Sequence, residues 1–241
     1  MWLLPTRGRP KLLQDTLNAC RDSGMTAPLV IVIDTRAGDY PDLKLPDNVQ
    51  EVIRAPWDMA DCMRYVFWRY PLETAYGWIA DDLIPHTEGW DRLLEMTAAS
   101  YFLADCEDLF LTAADHSHSL CGAFCWGGDL VRTVGWWALP GVRQAGIDDA
   151  WCDICTYGMP ALHRFRPDVL VEHLQWRNNK RPKDATDEWW REGDDYIARD
   201  FEILSDWRRE KGELKAISQI KASIARAGLE LVGGNLMLRQ G

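Results

Sequence analysis

Tyr76-Gly77-Trp78-Ile79-Ala80-Asp81-Asp82-Leu83-Ile84-Pro85 is the stretch on which the fold turns. A short apolar run ends on two adjacent carboxylates, and Pro85 is expected to turn the chain out. Aspartate is a poor strand residue, so a pair at a strand's end marks either a solvated junction or a chemical site. Two hard oxygen ligands at the carboxyl edge of a sheet suit a divalent cation carrying a phosphorylated ligand.

Upstream, Trp2 to Leu4 forms a minimal strand closed by Pro5. The loop Thr6-Arg7-Gly8-Arg9-Pro10 follows, with two guanidinium groups suited to a phosphate or a base. Leu13, Leu17 and Cys20 recur at i, i+4 and i+7, which predicts a helix over 11–23 closed by Gly24. Residues 28–34 are a β-branched run of the kind buried on both faces, and this run too ends on aspartate, Asp34. A strand over 49–53, a helix over 58–70, the Tyr76 strand and a helix over 87–99 complete a β-α-β-β-α-β-α order. That order implies a mainly parallel sheet with flanking helices. Ligands of such sheets gather at the carboxyl ends of the strands, where Thr6, Arg7, Asp34, Asp81 and Asp82 converge.

Downstream, strands are expected over 108–113 and 121–128, and a helix over 129–137. Asp148 and Asp149 open a helix that Gly158 closes, where carboxylates are favoured. A strand over 168–173 delivers His173 to an edge. Residues 177–183 form a basic loop. Helices over 187–209 and 213–227 and a hairpin around Gly233-Gly234 form a small C-terminal appendage. The expected division is therefore a core, 1–183, and an appendage, 184–241.

The formal charge of −10 argues against broad binding to a phosphate backbone. Seven scattered Cys read as buried thiols in a reducing compartment. No apolar run reaches the length of a signal peptide core or a membrane span, so the expectation is a cytoplasmic protein. Of the 13 Trp, those at 57, 126, 136, 137, 176, 189 and 190 are placed where a surface or cleft would be. His116, His118, Cys121 and Cys125 are of zinc-ligand type, but their spacing is unlike common knuckles and Cys121 to Cys125 reads as strand. Cys152 and Cys155 read as buried helix thiols, and His86 and His163 as surface residues.

Leu-Leu-Pro-Thr-Arg-Gly-Arg-Pro, the buried strand ending in Asp34, and Ala80-Asp81-Asp82 after a fourth strand together resemble the GT-A glycosyltransferases. The likeness is to the Rossmann-like, family-two branch with its compact phage-encoded members, and it covers roughly 2–175. Gly-Ile-Asp148-Asp149 resembles that family's acidic pair, and His173 in Val-Glu-His its metal-binding histidine. The chain departs from the usual Asp-X-Asp, because Ala80 stands at the first carboxylate.

The resemblance implies transfer of a sugar from a nucleoside diphosphate sugar, UDP-linked by expectation, to an acceptor hydroxyl with inversion. Mn²⁺ or Mg²⁺ would be held by Asp82 and His173. Asp81, Asp34, Thr6 and Arg7 would hold the nucleotide, and Asp149, with Asp148 as neighbour or cap, would be the general base. Gly127, Gly128 and Trp126 would line the acceptor side. The acceptor is a glycan, a protein or a hydroxymethylated base in DNA, the last suited to the basic loop. For a phage-encoded member the compartment is the host cytoplasm. A nucleotidyltransferase and a non-catalytic nucleotide- or carbohydrate-binding module are the alternatives from other classes.

Overall fold

Trp2–Thr6 forms β1, and Pro10–Asp22 forms α1 with proline in its first turn, where a missing N–H costs nothing. Leu29–Asp34 is β2, buried at all six positions, and Val49–Ala55 is β3. Met59–Arg69 is α2, Ala75–Ile79 is β4, Leu83–Pro85 is β5 and Trp90–Ala98 is α3. Leu103–Asp108 is β6, Ala123–Gly127 is β7 and Gly128–Val134 is α4. Ile147–Trp151 is α5, continued by a π-helical segment Cys152–Gly158, and His163–His173 is β8. Ala185–Glu192, Asp194–Arg209 and Gly212–Arg226 are α6, α7 and α8, and Leu229–Val232 and Asn235–Leu238 are the hairpin strands β9 and β10. This computed structural model describes residues 1–38, 40, 42–109, 123–174, 181–192 and 194–239, the side chains of 189–192 and 194 excepted.

The large sheet runs β3-β2-β1-β4-β7-β6-β8-β5. Its first four strands are parallel neighbours, and β6 and β8 are parallel to each other. β7 is antiparallel to both β4 and β6, and β5 is antiparallel to β8. The parallel half carries every expected element from the first strand to the fourth. Gly77 is fixed by packing, because a Cβ there would lie 2.2 Å from the Trp2 indole that crosses β4.

Several expectations are corrected. Pro85 does not turn the chain out; Leu83, Ile84 and Pro85 pair with His173, Glu172 and Val171 at the sheet edge. The strand expected over 108–113 lies earlier, at Leu103–Asp108, and residues 110–113 fall outside the described ones. The helix expected over 187–209 is two helices, α6 and α7. Trp126 and Trp137 are fully buried rather than cleft residues, packed tilted or edge-to-face on one another and on Tyr76 and Trp151 at centroid distances of 5.2–5.9 Å. Trp57 and Trp136 pack half-buried on the same cluster. Gly127 and Gly128 line no acceptor space, since a Cβ on either would meet backbone carbonyls of Ser100 or Glu73 at about 2 Å.

His163 is mostly buried, with Nε2 3.6 Å from Asp105 Oδ2, while His86 is exposed and meets Glu172. Six cysteines, including Cys125, Cys152 and Cys155, are free and buried. His116, His118, Cys121, Trp176 and the side chains of Trp189 and Trp190 lie outside the described residues. After the expected boundary at 183/184, Leu204, Ala216, Ile217, Ile220 and Ile224 join the same apolar cluster as Leu3, Val32 and Trp126. Among the described residues, no helix is long and apolar enough to cross a membrane.

Candidate active site

β4 ends at Ile79, and the chain then drops Asp81 and Asp82 into a buried position between β1, α1 and β8. Asp81 Oδ2 accepts from Thr6 Oγ1 at 2.7 Å, and its carbonyl accepts from Thr16 Oγ1 of α1 at 2.9 Å. Thr6 therefore positions Asp81, while also meeting the Tyr40 hydroxyl at 2.9 Å. Asp82 Oδ1 lies 3.0 Å from His173 Nε2. The pairing of Leu83 with His173 fixes this contact, and Leu174 N–H donates to the Asp82 carbonyl.

Two guanidinium groups converge on the other Asp82 oxygen. Arg9 Nη1 and Arg181 Nη2 each stand 3.3 Å from Oδ2. Burial raises the Asp82 pKa, but the hydrogen bond and charge of His173, with Arg9 and Arg181, hold it below its ordinary value. Asp81 moves the other way, raised by burial and by the adjacent Asp82 charge.

Asp34 sits at the end of β2 as a counter-ion. Arg36 grips both its oxygens at 2.7–3.1 Å, and Arg7 Nη1 lies 3.3 Å from Oδ2. Arg36 also donates to Asp58 at 2.8 Å, and Arg143 donates to Asp58 at 2.7 Å. This chain of charges runs from the loop that follows β1 to the segment that leads into α5. That segment is anchored by Asp200 of α7, fully buried, whose carboxylate accepts from the N–H groups of Arg143, Gln144 and Ala145.

Asp148 and Asp149 occupy the first turn of α5, but neither is its N-cap: Gly146 holds that place, and no side chain caps the helix. Both are half-buried, and Arg208 of α7 comes within 4.0 Å of Asp149 while bonding Asp153. Burial first, and the Asp148 charge second, raise the Asp149 pKa above its ordinary value. A raised carboxylate is the better proton acceptor.

Sequence reading missed Asp184, Asp187 and Asp108 as site residues and assigned Arg9 and Arg181 only to loops, Arg181 to the basic one. Asp184 accepts from the N–H groups of Thr186 and Asp187, and Asp187 from that of Asp184, a reciprocal cap at the start of α6. The remaining carboxylate capacity of this pair holds Arg9 and Arg181 at 2.6–3.3 Å. Thr186 Oγ1 closes the arrangement on the Arg7 carbonyl. Of the expected basic loop, residues 177–180 lie outside the described ones, Arg181 is turned inward, and Lys183 reaches Glu188 at 3.7 Å.

Adjacent ligands about 2.1 Å from an octahedral ion lie about 3 Å apart, which the Asp82–His173 contact matches. Asp108 Oδ2 stands 3.7 Å from His173 Nδ1, on the far side of the ring, where an outer carboxylate orients a ligating imidazole. Asp82 and His173 thus fit a divalent ion. No cluster of three or more His, Cys, Asp or Glu suited to a metal occurs among the described residues; one or two protein ligands completed by substrate phosphates are common for such ions.

The sheet order, the strand-end carboxylates and the histidine returning on an antiparallel edge make this the GT-A fold of nucleotide-diphospho-sugar transferases. A mannosyltransferase from Pyrobaculum calidifontis, solved with GDP-mannose and Mn²⁺, shares it at a TM-score of 0.55 and 13% identity, over 94% of this chain and 74% of that one. GalNAc-T7, solved with UDP, GalNAc and Mn²⁺, shares it at 0.51 and 11% identity, over 71% of this chain and 43% of that one. At these identities the likeness is one of fold. No protein-family model and no curated protein matches the sequence.

Proposed function

We propose that this protein is a metal-dependent glycosyltransferase that moves a sugar from a nucleoside diphosphate sugar to an acceptor hydroxyl. The observation that carries the reading is Asp82 Oδ1 at 3.0 Å from His173 Nε2, on the ligand-binding edge of a GT-A sheet. A divalent ion held there, Mn²⁺ or Mg²⁺, supplies charge neutralisation to a diphosphate leaving group. Arg7, presented by Asp34, and Asp34 itself face the nucleoside. Thr6 and Thr16 keep Asp81 and Asp82 in register with β1 and α1.

Transfer is a single displacement. The acceptor oxygen bonds to the anomeric carbon as the carbon–oxygen bond to the diphosphate breaks, its electron pair leaving with the phosphate. The acceptor proton passes to Asp149, whose raised pKa suits that task, and the product is inverted. The described residues favour a glycan or protein hydroxyl over DNA: Trp126 and Trp137 are buried, Arg181 faces inward, and the net charge is −10. UDP is the expected nucleotide, with GDP tested beside it.

The test is thermal unfolding with Mn²⁺ plus UDP or GDP, followed by a screen of the corresponding sugars for release of nucleoside diphosphate. At 100 times its dissociation constant the correct pair stabilises by about 2.7 kcal/mol, and Asp82→Ala abolishes the response. No response to either pair, or release of pyrophosphate instead, overturns the reading.

A further inference from the structure

We propose that the groove between α4 and α8 is a carbohydrate site, which holds the chain of a neutral oligosaccharide acceptor away from its reacting hydroxyl. The word acceptor rests on the glycosyltransferase reading; the sugar chain rests on the lining of the groove itself.

α8 carries two stripes. Ile217, Ile220 and Ile224 are buried in the core. Lys215, Gln219, Ala222, Ser223 and Arg226 recur at i, i+4, i+7, i+8 and i+11 on the neighbouring face, and each lines one of two clefts beside α4. The larger cleft, about 610 Å³, is walled by Tyr101, Asp129, Arg132 and Thr133. The smaller, about 190 Å³, is walled by Trp136 and Trp207, and Gln219 borders both. At about 1.5 Å per helical residue, Lys215 to Arg226 spans about 16 Å. The two clefts are one elongated groove.

Its lining suits an uncharged polyhydroxyl chain. Trp136 and Trp207 are half-buried, with ring planes 82° apart and centroids 6.3 Å apart. They make a floor and a wall for sugar rings, whose C–H faces pack on the negative faces of indoles. At the other end Asp129 accepts from Arg132 Nη2 at 2.8 Å and from Ser100 Oγ at 2.9 Å. Each carboxylate oxygen keeps a further lone pair for a sugar hydroxyl. Thr133 Oγ1 donates to Ser223 Oγ at 3.1 Å, and the Tyr101 and Ser223 hydroxyls lie 2.8 Å apart. Charge decides against other ligands. Asp129 offsets Arg132, and Glu210 offsets Lys215, which leaves Arg226 as the excess cation of the described lining. A polyanion needs more uncompensated cations than that, and a basic peptide needs the opposite sign.

The aromatic end adjoins α5. Trp136 packs on Trp151 with centroids 4.9 Å apart, and Arg208, next to Trp207 in α7, lies 4.0 Å from Asp149. The polar end lies by Tyr101, just before β6, at the sheet edge where β4 begins. A chain seated in the groove thus has one end beside the helix of Asp148 and Asp149 and the other at the far edge of the sheet.

The experiment titrates three full-length proteins calorimetrically: wild type, Gln219→Ala with Arg226→Ala, and Ala222→Trp. All three substituted positions are exposed, so the core is untouched. The probes are maltotetraose, mannotetraose and chitotetraose, their disaccharides, and tripolyphosphate, without donor or metal. One tetrasaccharide is expected to bind the wild type, more tightly than its disaccharide. The double variant is expected to weaken it by about 10-fold, and Ala222→Trp, which fills the groove, to abolish binding. Thermal stabilisation by Mn²⁺ with UDP or GDP should be alike in all three. A wild type that binds no tetrasaccharide up to millimolar concentration, or equal binding by all three proteins, overturns the proposal. Binding of tripolyphosphate alone, lost in the double variant, makes the groove an anion site and overturns it too. A tetrasaccharide bound by a wild type that responds to neither diphosphate upholds the sugar site while overturning its acceptor role and the parent reading.

Discussion

Asp81-Asp82 and Asp148-Asp149 are the same dipeptide, and the fold treats them differently. The first pair has side chains only 8% and 6% exposed, each tied to a guanidinium group and to a further polar partner. The second lies in the first turn of a short helix, with Asp149 42% exposed and one arginine 4.0 Å away. Burial disfavours the charge of every carboxylate, so the sign of the net effect depends on the cations supplied. Asp82 has two arginines and a histidine and stays below its ordinary pKa; Asp149 has a like-charged neighbour and a distant arginine and rises. A lowered and a raised carboxylate are thus two outcomes of one residue type, set by neighbours from other parts of the chain.

Removing the proposed proton acceptor breaks the comparison most severely. Asp149→Asn keeps the shape and loses the basic oxygen, so turnover is expected to fall by about 10²–10⁴-fold with donor affinity nearly intact. Steady-state transfer measured beside donor titration checks both halves. Near-normal turnover removes the base from α5. Next in size is Arg9→Met, which takes the guanidinium from Asp81 and leaves Asp82, Asp184 and Asp187 to Arg181. Deleting one partner of a buried ionic cluster costs about 3–5 kcal/mol, read as a lower urea midpoint at unchanged slope. A loss under about 1 kcal/mol, the worth of an exposed pair, would show that the cluster is solvated rather than built around Arg9.

Much of the parallel half was legible because its signals are local. The apolar run of β2, the Leu13–Leu17–Cys20 stripe and the carboxylates closing β2 and β4 are all readable within a turn or a strand. β6 was misplaced because Asp105, Glu107 and Asp108 break its apolar pattern, and their burial is justified only by partners elsewhere, such as His163 and His173. The antiparallel course of β7 has no local mark at all. The reciprocal cap Asp184-Ala-Thr-Asp187 was visible as a pattern, yet nothing near it in sequence announces that Arg9 will claim its oxygens. The tryptophans misled for a related reason: ring size suits a cleft and a core equally, and Trp126 and Trp137 found the core because Tyr76 and Trp151 were there to meet them.

The smallest expected effect sharpens the comparison most finely, because it asks what the second aspartate of the α5 pair does. In the proposed role Asp149 must be ionised to accept a proton, so turnover is expected to fall as pH falls through its pKa. Burial is the larger cause that raises this pKa, the negative charge of Asp148 is the next, and Arg208 works against both. Asp148→Asn removes only the second cause. The acid limb of the pH–turnover profile should therefore move to lower pH, yet not as far as an exposed aspartate would place it, since the burial remains. The plateau at higher pH should change little, because Asp148 caps nothing and Asn keeps its size. Added salt should move the wild-type limb in the same direction, since Asp148 and Asp149 are partly solvated and screening weakens their repulsion. A limb that stays in place under both changes would mean that Asp149 does not feel Asp148. A plateau that collapses in Asp148→Asn while Asp149→Asn stays active would give Asp148 the proton and Asp149 the neighbour's role.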